Sequence, residues 1–94
     1  MTETRHGLPL VDPCTVVVSR AAVGSLPADL VRRCVVAPIA LSGGALTVAV
    51  ANPLDFELLD ELRFRCGMRI DVVAADEDRI RAAVSWHYGG VRNA

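Results

Sequence analysis

The fold is decided by one stretch, residues 46–62, which reads LTVAVANPLDFELLDEL. Its first six residues form a short apolar run that contains Thr and Val and stops at Asn-Pro, and such a run predicts a β-strand. After it, Leu54, Leu58 and Leu62 recur every four residues, and Leu59 and Cys66 widen this stripe, a pattern typical of a helix with one apolar face. Gly67 supplies a left-handed residue that ends this helix.

The junction between strand and helix carries three residues with a helix-start signature, Asn52, Pro53 and Asp55. Asn52 is predicted to cap the helix N-terminus, because its side chain can accept a hydrogen bond from a free backbone amide. Pro53 suits the first helical position, and Asp55 suits the positive end of the helix dipole. Free amides in such a loop could instead hold an anion. Proline removes one of those donors, so capping is the favoured interpretation.

The remaining pattern predicts an α/β (α+β) fold, with a small three-stranded mixed sheet packed with about three helices. Ser42-Gly43-Gly44 predicts a hairpin turn between the first two strands. Residues 45–74 then form a strand–helix–strand unit with a right-handed parallel crossover. Pro38 places the first strand at a sheet edge or at a bulge. The predicted strands are 35–41, 45–51 and 69–74, and the predicted helices are 25–33, 54–66 and one that Asp76 caps and Gly89-Gly90 ends.

Length and composition predict one domain, residues 1–94, with a flexible leader over 1–9 and a tail or linker over 90–94. The chain has 94 residues, of which 52% are hydrophobic, enough for a real core. Its net charge of −1 gives no electrostatic basis for binding nucleic acid or an anionic membrane. It lacks a signal peptide and an apolar run long enough to span a bilayer. We therefore expect a cytoplasmic protein that does not insert directly into a membrane.

The side chains that carry chemistry are sparse. Cys14, Cys34 and Cys66 are widely spaced, which predicts reduced thiols rather than a disulfide framework or a zinc site. Two acids of the second helix are spaced to pair with arginines, Glu61 with Arg65 and Asp60 with Arg63. Such ion pairs account for these charged residues without a catalytic role. His87 is expected on the apolar face of the last helix, which Ile80, Ala83 and Val84 define. With no nucleophile, metal or acid–base constellation, the sequence predicts no enzyme, no metal and no cofactor.

Two features are candidates for binding. Arg63, Arg65 and Arg69 gather at a helix end and the following strand. They either complement the helix dipole and aid solubility, or form a docking patch for an acidic partner surface or a nucleotide phosphate. Trp86 falls off the apolar stripe of the last helix. It either covers the edge of the core or is an exposed contact anchor of the kind that interfaces favour.

The order of several short motifs resembles one known family. The motifs are an apolar strand with VAVANPLD at 48–55, DELRF at 60–64, and Gly67 followed by Ile70 three residues on. Weaker matches lie at 7–12, 26–38 and 80–89. Together they resemble the N-terminal domain of type II secretion and type IV pilus assembly ATPases, the GspE/PilB/MshE N-terminal domain family. The resemblance covers nearly the whole chain, which corresponds to the compact C-terminal part of that domain.

The resemblance implies a non-catalytic docking module. Domains of this family dock a motor ATPase onto a membrane-platform protein of a bacterial secretion or pilus apparatus, and some bind cyclic di-GMP. Cyclic di-GMP members carry motifs of the form RLGxxLxxxG…Q, whereas this chain has no Arg-Leu-Gly and no Gln. The resemblance therefore favours a platform or motor ATPase component as partner, with peripheral attachment at the inner membrane through that protein. A degenerate cyclic di-GMP sensor is the alternative.

The chain contains no lysine, so it lacks the Gly-Lys-Ser/Thr of a Walker A loop that holds nucleotide phosphates. We predict that it neither binds Mg-ATP productively nor hydrolyses it. Isothermal calorimetry with Mg-ATP should show no micromolar binding, and a phosphate-release assay no turnover. Turnover that a point substitution in the chain abolishes would contradict the prediction.

Overall fold

The computed structural model describes residues 4–5, 7–16 and 18–88, and within them the fold is α+β, as predicted. Two short strands form an antiparallel pair at the N-terminus, and a three-stranded mixed sheet with four helices follows. The elements in chain order are β1 (Thr4–Arg5), β2 (Leu8–Pro9), α1 (Arg20–Val23), α2 (Ala28–Cys34), β3 (Val36–Ser42), β4 (Ala45–Val50), α3 (Phe56–Cys66), β5 (Arg69–Ala74) and α4 (Glu77–His87).

The main sheet has the strand order β3-β4-β5, with β3 antiparallel and β5 parallel to the central strand β4. The turn between β3 and β4 places Gly43 and Gly44 at φ 60° and 76°, the left-handed pair that a two-residue hairpin requires. The pairing register shifts between Pro38 and Ala40. Both predictions for Pro38 are confirmed, since β3 is an edge strand and carries an irregularity at the residue that has no amide to donate.

One core joins the three main strands to all four helices. Leu46 and Val48 of β4, Leu62 of α3 and Ile80 of α4 are each fully buried in it. The other large side chains that are fully buried lie in α2, β3, β4 and the N-terminal segment and are Leu30, Val31, Val36, Val50 and Pro13. Burying these side chains is the main stabilising term in a domain of this size.

Helix α3 starts later than its sequence pattern predicts, at Phe56 rather than Leu54, and Asp55 is its N-cap. The Asp55 carboxylate accepts a hydrogen bond from the amide of Leu58 at 3.2 Å. Asn52 instead accepts one from the amide of Leu54 at 3.1 Å and closes a turn before the helix. The predictions that Asn52 caps the helix and that Pro53 is its first residue are therefore wrong. A short polar side chain that bonds two residues ahead favours a turn, and this turn takes the place of the first helical turn.

The later start also changes the face that α3 buries. Leu59 and Leu62 are buried, Leu58 is only partly buried, and Leu54, which lies before the helix, is 54% exposed. The predicted stripe is therefore wrong at Leu54, whereas Leu58 packs partly against the core and Leu62 is buried in it. Leu59, Leu62 and Cys66 are spaced three and four residues apart and form the face that meets the core.

The two helices that flank the hairpin end differently. Helix α3 ends at Gly67 with φ 67°, as predicted, whereas α2 ends at Val35 with φ 55°. A β-branched side chain in the left-handed region clashes with its own backbone, at a cost of roughly 1–2 kcal/mol. Val35 packs against the core despite that cost.

Two further differences concern the N-terminal part. Residues 1–9 were expected to be a loose leader, yet β1 and β2 pair within them. Helix α1 was not predicted, because four residues are too few to show a helical period; Ser19 caps it by accepting from the amide of Ala22 at 3.3 Å. The predicted tail over 90–94 lies outside the described residues.

We predict that Leu62→Ala lowers the free energy of unfolding by about 2–5 kcal/mol, because it opens a cavity at a fully buried site. Leu54→Ala removes the same atoms from an exposed site and should change the free energy of unfolding by less than about 0.5 kcal/mol. Urea denaturation of the two variants measures the difference. Equal losses would mean that the buried face of α3 is misassigned.

Candidate functional site

The three candidate arginines lie around the turn that connects α3 to β5. Arg63 and Arg65 are in the last turn of α3, and Arg69 is the first residue of β5; all three are exposed. Arg63 pairs with Asp60 at 3.4 Å, as predicted, and Arg69 pairs with Asp71 at 3.6 Å. Such exposed pairs contribute little stability and exchange readily. These three guanidinium groups are therefore accessible to an anionic partner.

Arg65 is not the partner of Glu61, so that predicted pair is wrong. Glu61 instead forms a two-oxygen contact with the guanidinium of Arg33, which joins α3 to α2. This hydrogen bond lowers the pKa of the Glu61 carboxyl. Within the part of the chain that the structure describes, Arg65 has no carboxylate within ion-pair distance. Because Arg33 of α2 contacts Glu61, Arg65 does not form the ion pair with Glu61 that their spacing of four residues predicts.

Trp86 lies on α4 with 82% of its surface exposed, so it does not cover the edge of the core. Two shallow surface grooves meet at it, one lined by Cys14 and Val16 and the other by Val18 and Arg20. None of the three candidate arginines lines either groove. Trp86 and the arginine patch are therefore separate features of the surface. The sequence analysis named both as candidates for binding but did not place them relative to each other.

His87 lines the same two grooves and is exposed, contrary to the prediction that it lies on the apolar face of α4. Its spacing from Ile80 and Val84 fits that face, and both of those residues are buried. However, His87 is the last residue of α4, and its side chain lines the surface grooves instead. Asp76 occupies the N-cap position of α4, as predicted.

The three cysteines differ in their exposure to solvent. Cys14, Cys34 and Cys66 are all free thiols, and burial raises the pKa of Cys34 above its ordinary value. A raised pKa keeps the thiol protonated and lowers its reactivity. In residues 7–16 and 18–88, no three His, Cys, Asp or Glu side chains lie close enough together to hold a metal ion.

Sequence reasoning missed the exposed apolar side chains of the α3 region. Phe64 is 86% exposed, Phe56 is 66% exposed, and both lie on α3. The available signal was position: Phe64 follows the buried Leu62 by two residues, which places it across the helix from the core. Large exposed aromatic side chains on a domain with a filled core often mark a contact surface.

A further groove of about 220 Å³ separates α2 from α4. Its apolar lining comes from Val31, Val35, Ile80 and Val84, and two arginines, Arg32 and Arg81, stand at its rim.

Tyr88 closes one end of the domain by bonding across 65 residues of sequence. Its hydroxyl donates a 2.7 Å hydrogen bond to the carbonyl oxygen of Val23, at the end of α1. Burial raises the pKa of Tyr88 from 10.0 to about 12. The hydroxyl therefore stays protonated in the folded state at pH values where a free tyrosine ionises.

The chain folds as a small α+β domain with exposed aromatic and arginine side chains, and sequence comparison places it in a family. The chain belongs to the MshEN domain family, which it matches over residues 6–94. It is 27% identical over 84 residues to the type IV pilus assembly ATPase PilB of Myxococcus xanthus (strain DK1622). That match covers 89% of this chain but only 15% of PilB.

Solved structures agree on the fold. A structure of MshE with cdg (cyclic di-GMP) is 27% identical and superposes with a TM-score of 0.81, covering 86% of this chain and 59% of that one. The N-terminal domain of XpsE is 22% identical with a TM-score of 0.71, covering 84% of this chain and 56% of the other. This chain thus spans little more than half of each of these structures. The suspected family resemblance is confirmed.

The helices of the described residues are too short and too polar for any of them to cross a bilayer.

We predict that folding stability falls as the pH rises from about 10 to about 12. In that range the folded state keeps the Tyr88 proton that the unfolded state releases, so each step upward in pH favours unfolding. Tyr88→Phe should be less stable than the parent by about 1 kcal/mol at pH 9, for the lost hydrogen bond, and this difference should shrink toward pH 12. Chemical denaturation at several pH values measures it.

Phenolate absorbance provides the control, because Tyr88 is the one tyrosine of the chain. A midpoint near 10 for the Tyr88 hydroxyl in the folded protein would show that this hydroxyl is neither buried nor bonded to Val23.

Proposed function

We propose that this chain is a non-catalytic docking module that connects components of a type II secretion or type IV pilus machine. One observation carries the proposal: a domain of the MshEN family exposes more than four-fifths of two large aromatic side chains, Phe64 and Trp86, while its core is complete without them. Water-exposed aromatic surface is unfavourable unless a partner covers it, and aromatic residues dominate binding energy at interfaces.

The partner class that fits best is a protein of the same machine, either the membrane platform or the motor ATPase. Support comes from the similarity to PilB, of which this chain matches a minor part, and from the absence of lysine that a nucleotide-binding motor loop needs. A module of this kind works on the cytoplasmic side and reaches the inner membrane through its protein partner.

The arginine patch of Arg63, Arg65 and Arg69 is the proposed docking surface for an acidic face of that partner. Arginine is suited to this role, since its planar guanidinium bonds carboxylates through two parallel contacts. The competing ion pairs with Asp60 and Asp71 are exposed and weak, and Arg65 is available at the end of α3. Trp86 supplies a second, separate anchor on α4.

An alternative is a nucleotide second-messenger sensor, and the similarity to MshE with cdg favours it. Against it, this chain lacks the Arg-Leu-Gly and Gln of the family's cyclic di-GMP motifs. Calorimetric titration with cyclic di-GMP separates the two functions. Saturable micromolar binding that is lost in Arg63→Glu/Arg65→Glu would favour the sensor and assign it to the same patch.

We predict that Arg63→Glu/Arg65→Glu reduces co-purification with the platform protein or motor ATPase of the same organism at least tenfold. Both side chains are exposed, so the fold should be unaffected. The matched control is Arg32→Glu/Arg81→Glu, which makes the same change in net charge on the other side of α2 and should dock normally. Circular dichroism checks folding.

A folded Arg63→Glu/Arg65→Glu variant that docks as well as the parent would exclude the arginine patch. Loss of docking in Trp86→Ala alone would then assign the interface to the grooves beside α4.

A further inference from the structure

Two large apolar side chains are exposed at the junction between β4 and α3. Leu54 is 54% exposed and Phe56 is 66% exposed, whereas Pro53, directly before them in the same turn, is buried. Neither side chain belongs to the core, which is complete without them. A single exposed apolar residue is ordinary, but two within three residues form a patch that a partner can cover.

Hydrogen bonds fix the backbone that carries these two side chains. The side chain of Asn52 accepts from the amide of Leu54 at 3.1 Å, and its carbonyl oxygen accepts from the amide of Asp55 at 3.1 Å. The Asp55 carboxylate accepts from the amide of Leu58, in the first turn of α3. A surface that is ordered before binding loses less conformational entropy when a partner covers it.

The charged side chains beside this apolar pair are acidic. Residues 52–62 contain no arginine, lysine or histidine. Asp55 and Glu57 flank Phe56, and Asp60 follows it by one helical turn. No arginine of the described residues lies within ion-pair distance of Asp55 or Glu57, and the Asp60 side chain is 78% exposed. The patch is therefore complementary to a surface that carries both cationic and apolar side chains.

The arginine patch lies at the opposite end of the same helix. Phe56 is the first residue of α3 and Arg65 lies nine residues later, which corresponds to roughly 14 Å along the helix axis. The helix dipole favours acids at the start and arginines at the end, so the charges alone require no partner. The exposure of Leu54 and Phe56 has no such explanation, because it is unfavourable in water and does not contribute to the core.

We propose that Leu54, Phe56 and the acids Asp55, Glu57 and Asp60 form a second docking surface, and that it binds a basic segment of a partner protein. In that segment arginine or lysine stands beside aliphatic residues. The apolar side chains of the two surfaces pack together, and the carboxylates contact the cations. An anionic bilayer would be repelled by the same carboxylates, so the surface selects a protein segment over lipid headgroups.

The inference rests on the proposed docking function and extends it from one surface to two. A module that connects two components needs two surfaces that can be occupied at the same time. The two ends of α3 meet this requirement, because one end suits an acidic partner and the other a basic partner.

The test is a fluorescence-anisotropy titration of the purified chain against a labelled peptide of alternating leucine and arginine. The parent should bind this peptide saturably, and added salt should weaken the binding, because the ion pairs are solvent-exposed. A leucine–serine peptide of the same length keeps the apolar side chains without the cations. It should bind at least tenfold more weakly.

Two variants test the surface itself. Leu54→Ala/Phe56→Ala removes both apolar anchors and should weaken binding of the leucine–arginine peptide at least tenfold. Glu57→Arg/Asp60→Arg reverses two charges and should abolish the binding. All four side chains are exposed, so the fold should be unaffected, and circular dichroism checks this.

Each variant has a matched control elsewhere on the chain. Phe64→Ala removes an exposed aromatic residue from the other end of α3. Asp29→Arg/Asp71→Arg makes the same change in net charge at two exposed acids of α2 and β5. Both controls should bind the leucine–arginine peptide as the parent does.

Three results would overturn the proposal. They are a parent chain that does not bind the leucine–arginine peptide saturably, binding that Leu54→Ala/Phe56→Ala leaves unchanged, and an Asp29→Arg/Asp71→Arg control that loses as much binding as Glu57→Arg/Asp60→Arg. Each leaves the arginine patch untouched, since that is measured with the platform or motor protein. Conversely, normal docking by Arg63→Glu/Arg65→Glu together with peptide binding would exclude the arginine patch and support this surface.

Discussion

The central strand β4 is the element on which the structure depends. It pairs with β3 along one edge and with β5 along the other, and five of its six side chains are buried. A strand enclosed in this way cannot shift by one residue, because every side chain would move to the opposite face of the sheet. Its parallel register with β5 places Leu46 opposite Ile70 and Val48 opposite Val72, which sets the distance that the connection through α3 must span.

Once β4 and β5 are parallel, α3 must run between them as a crossover, and α2 is left to pack beside it. The contact of Arg33 with Glu61 follows from this arrangement, since it joins helices that are 28 residues apart in sequence. It takes Glu61 away from its helical neighbour Arg65 and leaves that arginine at the surface. An ion pair decided by packing thus leaves Arg65 without a carboxylate within ion-pair distance among the described residues.

Most aromatic residues of this domain lie outside its core. The core is built from aliphatic side chains, and the largest buried ones are leucine, isoleucine and valine. Phe64, Phe56 and Trp86 lie outside it. A small domain that fills its core with aliphatic residues and exposes its aromatic ones has surface available for binding without loss of stability. Tyr88 is the exception, because its hydroxyl bonds the end of α1.

Much of the fold was determined by the sequence itself. The apolar runs with turn signals at Gly43-Gly44 and Gly67 predicted β3, β4, β5 and the end of α3, because these signals act within a few residues of each other. The motif order predicted the family, which the comparisons confirm. The candidate arginines and Trp86 were also chosen from position alone, and their role in binding stays a prediction.

Other features were decided only by the tertiary structure. Asn52 and Asp55 both carry capping side chains, and the turn at Asn52-Pro53 assigned the cap to Asp55. That choice left Leu54 outside α3 and exposed to solvent. Trp86 could cover the edge of the core or face water, and the packed structure leaves it 82% exposed. The groove between α2 and α4 has no sequence signal, because its two walls are about fifty residues apart and meet only when both helices pack on β3. Local chemistry sets each element, whereas the exposed surface depends on which elements pack together.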